Sequence, residues 1–147
     1  MSYLYQRPGF TLTEILLVLA VSSSILLIGA PVYERLVVSN EVDVAANVIV
    51  ADLYRAQSNS RNVARDSNWG VAVNGQTITL FSGTSYLTRN VALDENYLVP
   101  SAITITGSSS EVFTKLTGLP SGSGSIILQN ANKSRTVTWT SKGMVDY

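Results

Sequence analysis

The chain contains no cysteine and no histidine. Without cysteine there is no disulfide framework, no thiolate metal site, no iron–sulfur cluster and no thiol nucleophile. Without histidine there is no Ser-His-Asp triad, no imidazole base and no three-histidine metal site. Charge is scarce as well. Lys and Arg number 10, Asp and Glu number 10, and together they make up 14% of the 147 residues. That balance argues against a bulk nucleic-acid binder. Disorder is disfavoured, because 46% of the residues are hydrophobic and so apolar a chain can bury a core. The length fits one domain with one additional element.

The mean hydropathy is +0.22, high for a soluble domain, and the apolar residues are concentrated near the N-terminus. From Phe10 to Tyr33 the chain reads FTLTEILLVLAVSSSILLIGAPVY, with Glu14 as its one charge. The 19 residues from Ile15 to Tyr33 carry no charge. At about 1.5 Å per helical residue this stretch approaches the roughly 30 Å of a hydrocarbon core. Ser22, Ser23 and Ser24 do not end the run, since a helical serine bonds back to its own carbonyls. Gly29 and Pro31 are tolerated in membrane helices. A cleaved secretory signal would need a basic leader and a small-x-small site. The leader MSYLYQRPG offers Arg7 and no such site follows the core. A plain signal anchor explains the hydrophobicity but not Glu14. A charge at membrane depth costs about 2.5–3.5 kcal/mol, so Glu14 is expected either to find a partner or to snorkel near the helix end.

The segment Gly9-Phe10-Thr11-Leu12-Thr13-Glu14 resembles the processing site of type IV prepilins and pseudopilins. The resemblance implies cleavage after Gly9 by a prepilin peptidase and methylation of the new amine at Phe10. Glu14 becomes the fifth residue of the mature chain, ahead of about twenty apolar residues as in the family. Removing the leader also removes Arg7, and the new cationic amine then lies four residues from the Glu14 carboxylate. In a staggered helix bundle Glu14 of one subunit can meet the amine of a neighbour. At about 4 Å in a low effective dielectric that attraction reaches several kcal/mol, opposed by desolvation. Pro31 also resembles the family, where a proline permits a kink or local melting. It lacks a backbone donor and its ring crowds the preceding turn. A simple bend at the membrane exit is the alternative.

Beyond Pro31, Val38, Val42, Ala45, Ile49, Leu53 and Ala56 form one apolar helical stripe. No Gly or Pro occurs between Val32 and Trp69, so the helix is expected to run to about Arg65. Arg55, Arg61 and Arg65 fall near its C-terminal end, where cations suit the dipole. From Trp69 onward short β-rich runs alternate with Gly, Ser and Asn turns. Asn74-Gly75 predicts a type I′ hairpin between Trp69–Val73 and Gln76–Phe81. Further strands are expected at Asn96–Val99, Ala102–Thr106, Glu111–Thr114, Ser125–Gln129, Arg135–Thr140 and Met144–Asp146. The predicted fold class is α+β: a long N-terminal α-helix, its first half transmembrane, packed on a C-terminal antiparallel β-sheet or small β-sandwich. The segments are residues 1–9 (leader), 10–33 (hydrophobic half-helix), 34–66 (amphipathic half-helix) and 67–147 (β-rich domain).

The helix end Arg55–Asn62, the strand opening at Trp69-Gly70, and the tail from Arg135 to Val145 look like the GspH/FimT type of minor pilin or pseudopilin. That resemblance implies assembly with other pilins through the N-terminal helix, with a platform protein and ATPase drawing subunits from the membrane. It implies a single-pass protein of the cytoplasmic membrane whose β domain lies outside, later part of a pilus or pseudopilus. The chain departs from major pilins, which often close a C-terminal loop with a disulfide. It also lacks the acidic calcium loop of major pseudopilins. Asp94 and Glu95 read as a solvated turn, so no metal and no cofactor are expected. Some FimT-like proteins bind DNA through a Gly-Arg-x-Arg tail, but Ser141–Asp146 lacks those arginines. Lys133, Arg135 and Lys142 could form a weak basic edge for DNA, although edge-strand charges that discourage aggregation are the favoured reading. No phosphate loop and no G-x-S-x-G string occurs, and no enzymatic activity is expected. The alternatives are a DNA-binding minor pilin of natural transformation, a major pilin, and a signal-anchored domain unrelated to pili.

Overall fold

The computed structural model describes Gly9–Tyr147, with side chains described for residues 9–25 and 40–147. The leader up to Pro8, including Arg7, lies outside the described residues. The chain divides into two units, Met1–Leu36 and Val37–Tyr147. One helix, α1 (Leu12–Arg61), contributes to both.

In the first unit the main chain is helical from Leu12, and every residue from Gly9 to Ile25 is exposed. Ser23 and Ser24 donate their hydroxyls to the carbonyls of Leu19 (2.7 Å) and Ala20 (2.9 Å). This is the back-bonding that lets polar residues sit in an apolar helix. The expected membrane span is not supported here: among the described residues no helix is long and apolar enough to cross a membrane. The described part of the apolar run stops at Ile25, short of the roughly 20 residues a bilayer requires. Gly29, Pro31 and Val38 lie within α1, but their side chains fall outside the described residues.

In the second unit the helical stripe is buried as its spacing demands. Val42, Ala45, Ile49, Leu53 and Ala56 are fully buried, joined by Ala46 and Val50. They pack on two four-stranded antiparallel sheets. In chain order the strands are β1 (Trp69–Asn74), β2 (Thr77–Ser82), β3 (Glu95–Leu98), β4 (Thr104–Gly107), β5 (Ser110–Phe113), β6 (Gly124–Gln129), β7 (Ser134–Trp139) and β8 (Val145–Asp146). One sheet runs β3-β2-β1-β5 and the other β4-β6-β7-β8. Alternation places Val71, Ile78, Leu80 and Phe113 of the first sheet, and Ile126, Leu128 and Val137 of the second, in one core with the helix stripe. The strands thus form two antiparallel sheets rather than one.

Two expectations fail locally. The helix ends at Arg61, four residues before Arg65. The following segment turns left-handed at Val63 (φ 55°), Arg65 (φ 58°) and Asp66 (φ 56°), which a helix cannot accommodate. The first hairpin is also not type I′. Asn74 pairs with Thr77, so the loop is Gly75-Gln76. Only Gly75 has positive φ (59°), the glycine-first pattern of a type II′ turn.

The outer face of the first sheet is covered by the segment between β2 and β3. Tyr86 packs edge-on against Phe81 at 5.7 Å, and Phe81 is fully buried. Gly70 makes room beneath it, since a Cβ there would lie 2.7 Å from the Phe81 ring and 2.5 Å from the Glu111 carbonyl.

Candidate assembly interface

The residues singled out at the N-terminus lie together. Gly9 and Phe10 precede α1, and Phe10 is 81% exposed. Thr11 and Glu14 bond reciprocally. The Glu14 amide donates to Thr11 Oγ1 (3.3 Å), and the Thr11 amide donates to Glu14 Oε2 (3.5 Å). This is a capping box, which satisfies amides that have no partner at a helix start. It also places a carboxylate at the positive end of the helix dipole. Glu14 is thus a cap as well as a candidate pairing charge. The Thr-x-x-Glu spacing could have shown this in the sequence.

The surface behind this cap is apolar all round. Phe10, Glu14, Ile15, Val18 and Leu19 line a shallow groove of about 360 Å³ at helical spacing. Leu12, Leu16, Leu17, Val21 and Ile25 are all more than half exposed. A helix apolar on every side is stable only when buried in protein or lipid, and among the described residues nothing covers this one. Pro31 falls outside the described side chains.

Two of the three residues of the expected basic edge share one partner within the chain. Lys133 and Arg135 both hold Asp43 of α1. Lys133 Nζ bonds Asp43 Oδ2, and Arg135 Nε bonds Oδ1 at 2.8 Å. The Lys133 hydrogen bond first, and then that of Arg135, keep the Asp43 carboxyl below its ordinary value. The clamp ties the hairpin between β6 and β7 to the helix. Lys142 is exposed in the turn before β8 and is not part of it.

Several contacts that fasten the second unit gave no sequence signal. Ser60 is fully buried; its hydroxyl donates to the Phe113 carbonyl (2.9 Å) and accepts from the Trp69 amide (2.9 Å). Gln57 donates to the carbonyls of Gly118 and Gly143, both at 3.2 Å. Glu111 is buried between the sheets, where its oxygens accept from the Ser121 amide (2.6 Å), the Ser121 hydroxyl (2.7 Å) and the Trp139 indole (2.8 Å). Arg55 is a bidentate donor to Glu95 (2.6 and 2.7 Å) and also reaches Asp52 (3.2 Å). Burial raises the Asp52 pKa, and Arg55 only partly opposes this.

No protein-family model matches the sequence, and neither does any curated protein. Solved structures do match. One is the minor pseudopilin EpsH of the type 2 secretion system of Vibrio cholerae, with a TM-score of 0.53 and 12% identity over 72% of this chain and 94% of that one. A second structure of that pseudopilin gives a TM-score of 0.56 and 9% identity over 74% of this chain and 94% of that one. The fold is that of a minor pseudopilin. At 9–12% identity the agreement is one of fold. In this pseudopilin fold, Gln57 and Ser60 moor the helix to the β5–β6 region, and Asp43 moors it to the β6–β7 hairpin.

Proposed function

We propose that the chain is a minor pseudopilin, a non-enzymatic subunit that assembles with other pilin-like chains into a pseudopilus of a type II secretion machine. One observation carries the reading. A helix segment that is apolar all round, with a carboxylate in its N-terminal cap, leads into a globular unit of the pseudopilin fold. Residues 10–33 insert in the cytoplasmic membrane before assembly, with the β-rich unit outside the cytoplasm. Prepilin peptidase cuts after Gly9 and the amine of Phe10 is methylated.

The chemistry follows from the cap. In the mature chain the amine sits one residue before Thr11, while Glu14 already accepts the Thr11 amide. Glu14 lies beside the apolar groove, and its carboxylate can meet a neighbouring subunit's amine there. In a low dielectric this pairing is worth several kcal/mol before desolvation is subtracted. It is therefore a device for register more than for bulk affinity. An assembly platform and ATPase supply the work of extraction.

The test is the N-terminus of the protein isolated from its host. Mass spectrometry should find methylated Phe10. A chain still beginning at Met1 in the presence of the peptidase refutes the reading. Glu14→Ala should be processed but assemble poorly.

A further inference from the structure

The strand β3 is an edge of its sheet, and its outer side is exposed. It pairs with β2 in the register Thr77↔Leu98 to Leu80↔Glu95, and the Val99 amide continues that ladder to the Gln76 carbonyl (2.7 Å). Antiparallel pairing alternates. Tyr97 and Glu95 therefore turn their main-chain groups toward β2, and Asn96 and Leu98 turn theirs away. Among the described residues no strand takes up that side. Leu98 is 73% exposed.

A cleft lies on each face of this edge. On the helix side a cleft of about 300 Å³ is lined by Val48, Ala51, Asp52, Arg55 and Tyr97, together with Glu95. Its floor is apolar, and its two carboxylates share one guanidinium, leaving one negative charge in excess. On the outer face a cleft of about 500 Å³ is lined by Thr77, Tyr86, Arg89, Asp94 and Leu98 among others. There Arg89 stacks on Tyr86 at 3.8 Å and pairs with Asp94 Oδ2 at 2.7 Å. The Asp94 side chain is only 5% exposed, and its Oδ1 is buried with no donor. Because Arg89 already balances the charge, the complementary group for Oδ1 is a neutral donor. A buried acceptor without a partner calls for one.

We propose that β3 receives an extended segment of another polypeptide by strand addition. Side chains of an added strand alternate between the two faces, and here both faces offer a cleft beside one free edge. Main-chain bonds to Asn96 and Leu98 supply affinity, and the two clefts supply specificity. The segment carries aliphatic or lysine side chains toward the helix side, where lysine methylenes cover Val48 and Ala51 and the ammonium meets the surplus carboxylate. It carries serine, threonine or asparagine toward Asp94. The inference does not rest on the assembly reading, since no residue before Val37 takes part.

The probe is the blocked peptide Val-Thr-Lys-Thr-Val, titrated into the full chain in mild detergent and followed by amide hydrogen exchange. The amides of Asn96 and Leu98 should become protected on binding. Two further peptides are N-methylated on alternate amides, one in each phase. One phase should bind about tenfold or more weakly, since it blocks the donors facing β3, while the other binds as the parent does. Leu98→Pro removes a donor that faces outward, a position where an edge strand accepts proline, and should weaken binding by up to about tenfold. No protection of Asn96 and Leu98 at about 1 mM peptide, or equal binding by both N-methylated phases, overturns the proposal.

Discussion

Ser60→Ala tests how the helix is moored to the sheets. The Ser60 hydroxyl is fully buried and has two partners, the Phe113 carbonyl and the Trp69 amide, each at 2.9 Å. Alanine removes both bonds. Each buried group left without a partner costs about 1–3 kcal/mol. Alanine returns about 0.5 kcal/mol of helix propensity. The net loss should then be about 1.5–5.5 kcal/mol, a large part of the stability of a domain this size. Urea unfolding of the full chain, followed by tryptophan fluorescence, measures it. The control is Ser58→Ala, one turn-edge away, where the hydroxyl is exposed and accepts only from Asn62 at 3.3 Å; it should change stability by less than about 0.5 kcal/mol. If Ser60→Ala unfolds within that same margin of the parent, the mooring argument is wrong. A second readout is local: exchange of the Trp69 amide should accelerate in Ser60→Ala before global unfolding does.

Two further outcomes follow from the polar interior and the helix clamp. Glu111→Ala strips the acceptor from the Trp139 indole and from Ser121, and should destabilise by about 2–4 kcal/mol, with a shift of the Trp139 indole resonance as its signature. The pH dependence has opposite signs at two aspartates. Asp43 is held below the ordinary carboxylate value by Lys133 and Arg135. Its stabilisation is present above that value and is lost as pH falls through the lowered one. Asp52 is raised, mainly by burial. Its charge therefore costs stability at neutral pH, and the cost is relieved as pH falls through the raised value. Acid titration of the melting temperature should show a shallower low-pH decline for Asp43→Asn and a gain at neutral pH for Asp52→Asn.

Local patterns in the chain were informative where a single periodicity governed the outcome. The stripe from Val42 to Ala56 is buried because residues three and four apart must share a helix face. The eight strands lie within two residues of their expected positions because turn chemistry at Gly75, Gly107 and the Asn130 loop leaves little freedom between them. Boundaries set by conformational detail were less legible. The helix stops at Arg61 because Val63 turns left-handed, and a β-branched residue gives no warning of that. The hairpin at Asn74-Gly75 shifts by one residue because register across β1 and β2 outweighs the preference of the dipeptide. Lys133 and Arg135 read as free edge charges because their partner, Asp43, lies far away in sequence.

By itself the amino-acid sequence determined the long apolar helix, its charged start at Glu14, and a β-rich remainder. Each of these depends on neighbours within a few positions, where bond geometry and spacing leave few choices. Only the tertiary structure decided that the strands divide into two sheets, that Glu111 and Trp139 join them, that Ser60 fastens the helix end, and that β3 is left as an edge between two clefts. Those outcomes depend on contacts between residues tens of positions apart, and no local pattern encodes which buried donor will meet which acceptor.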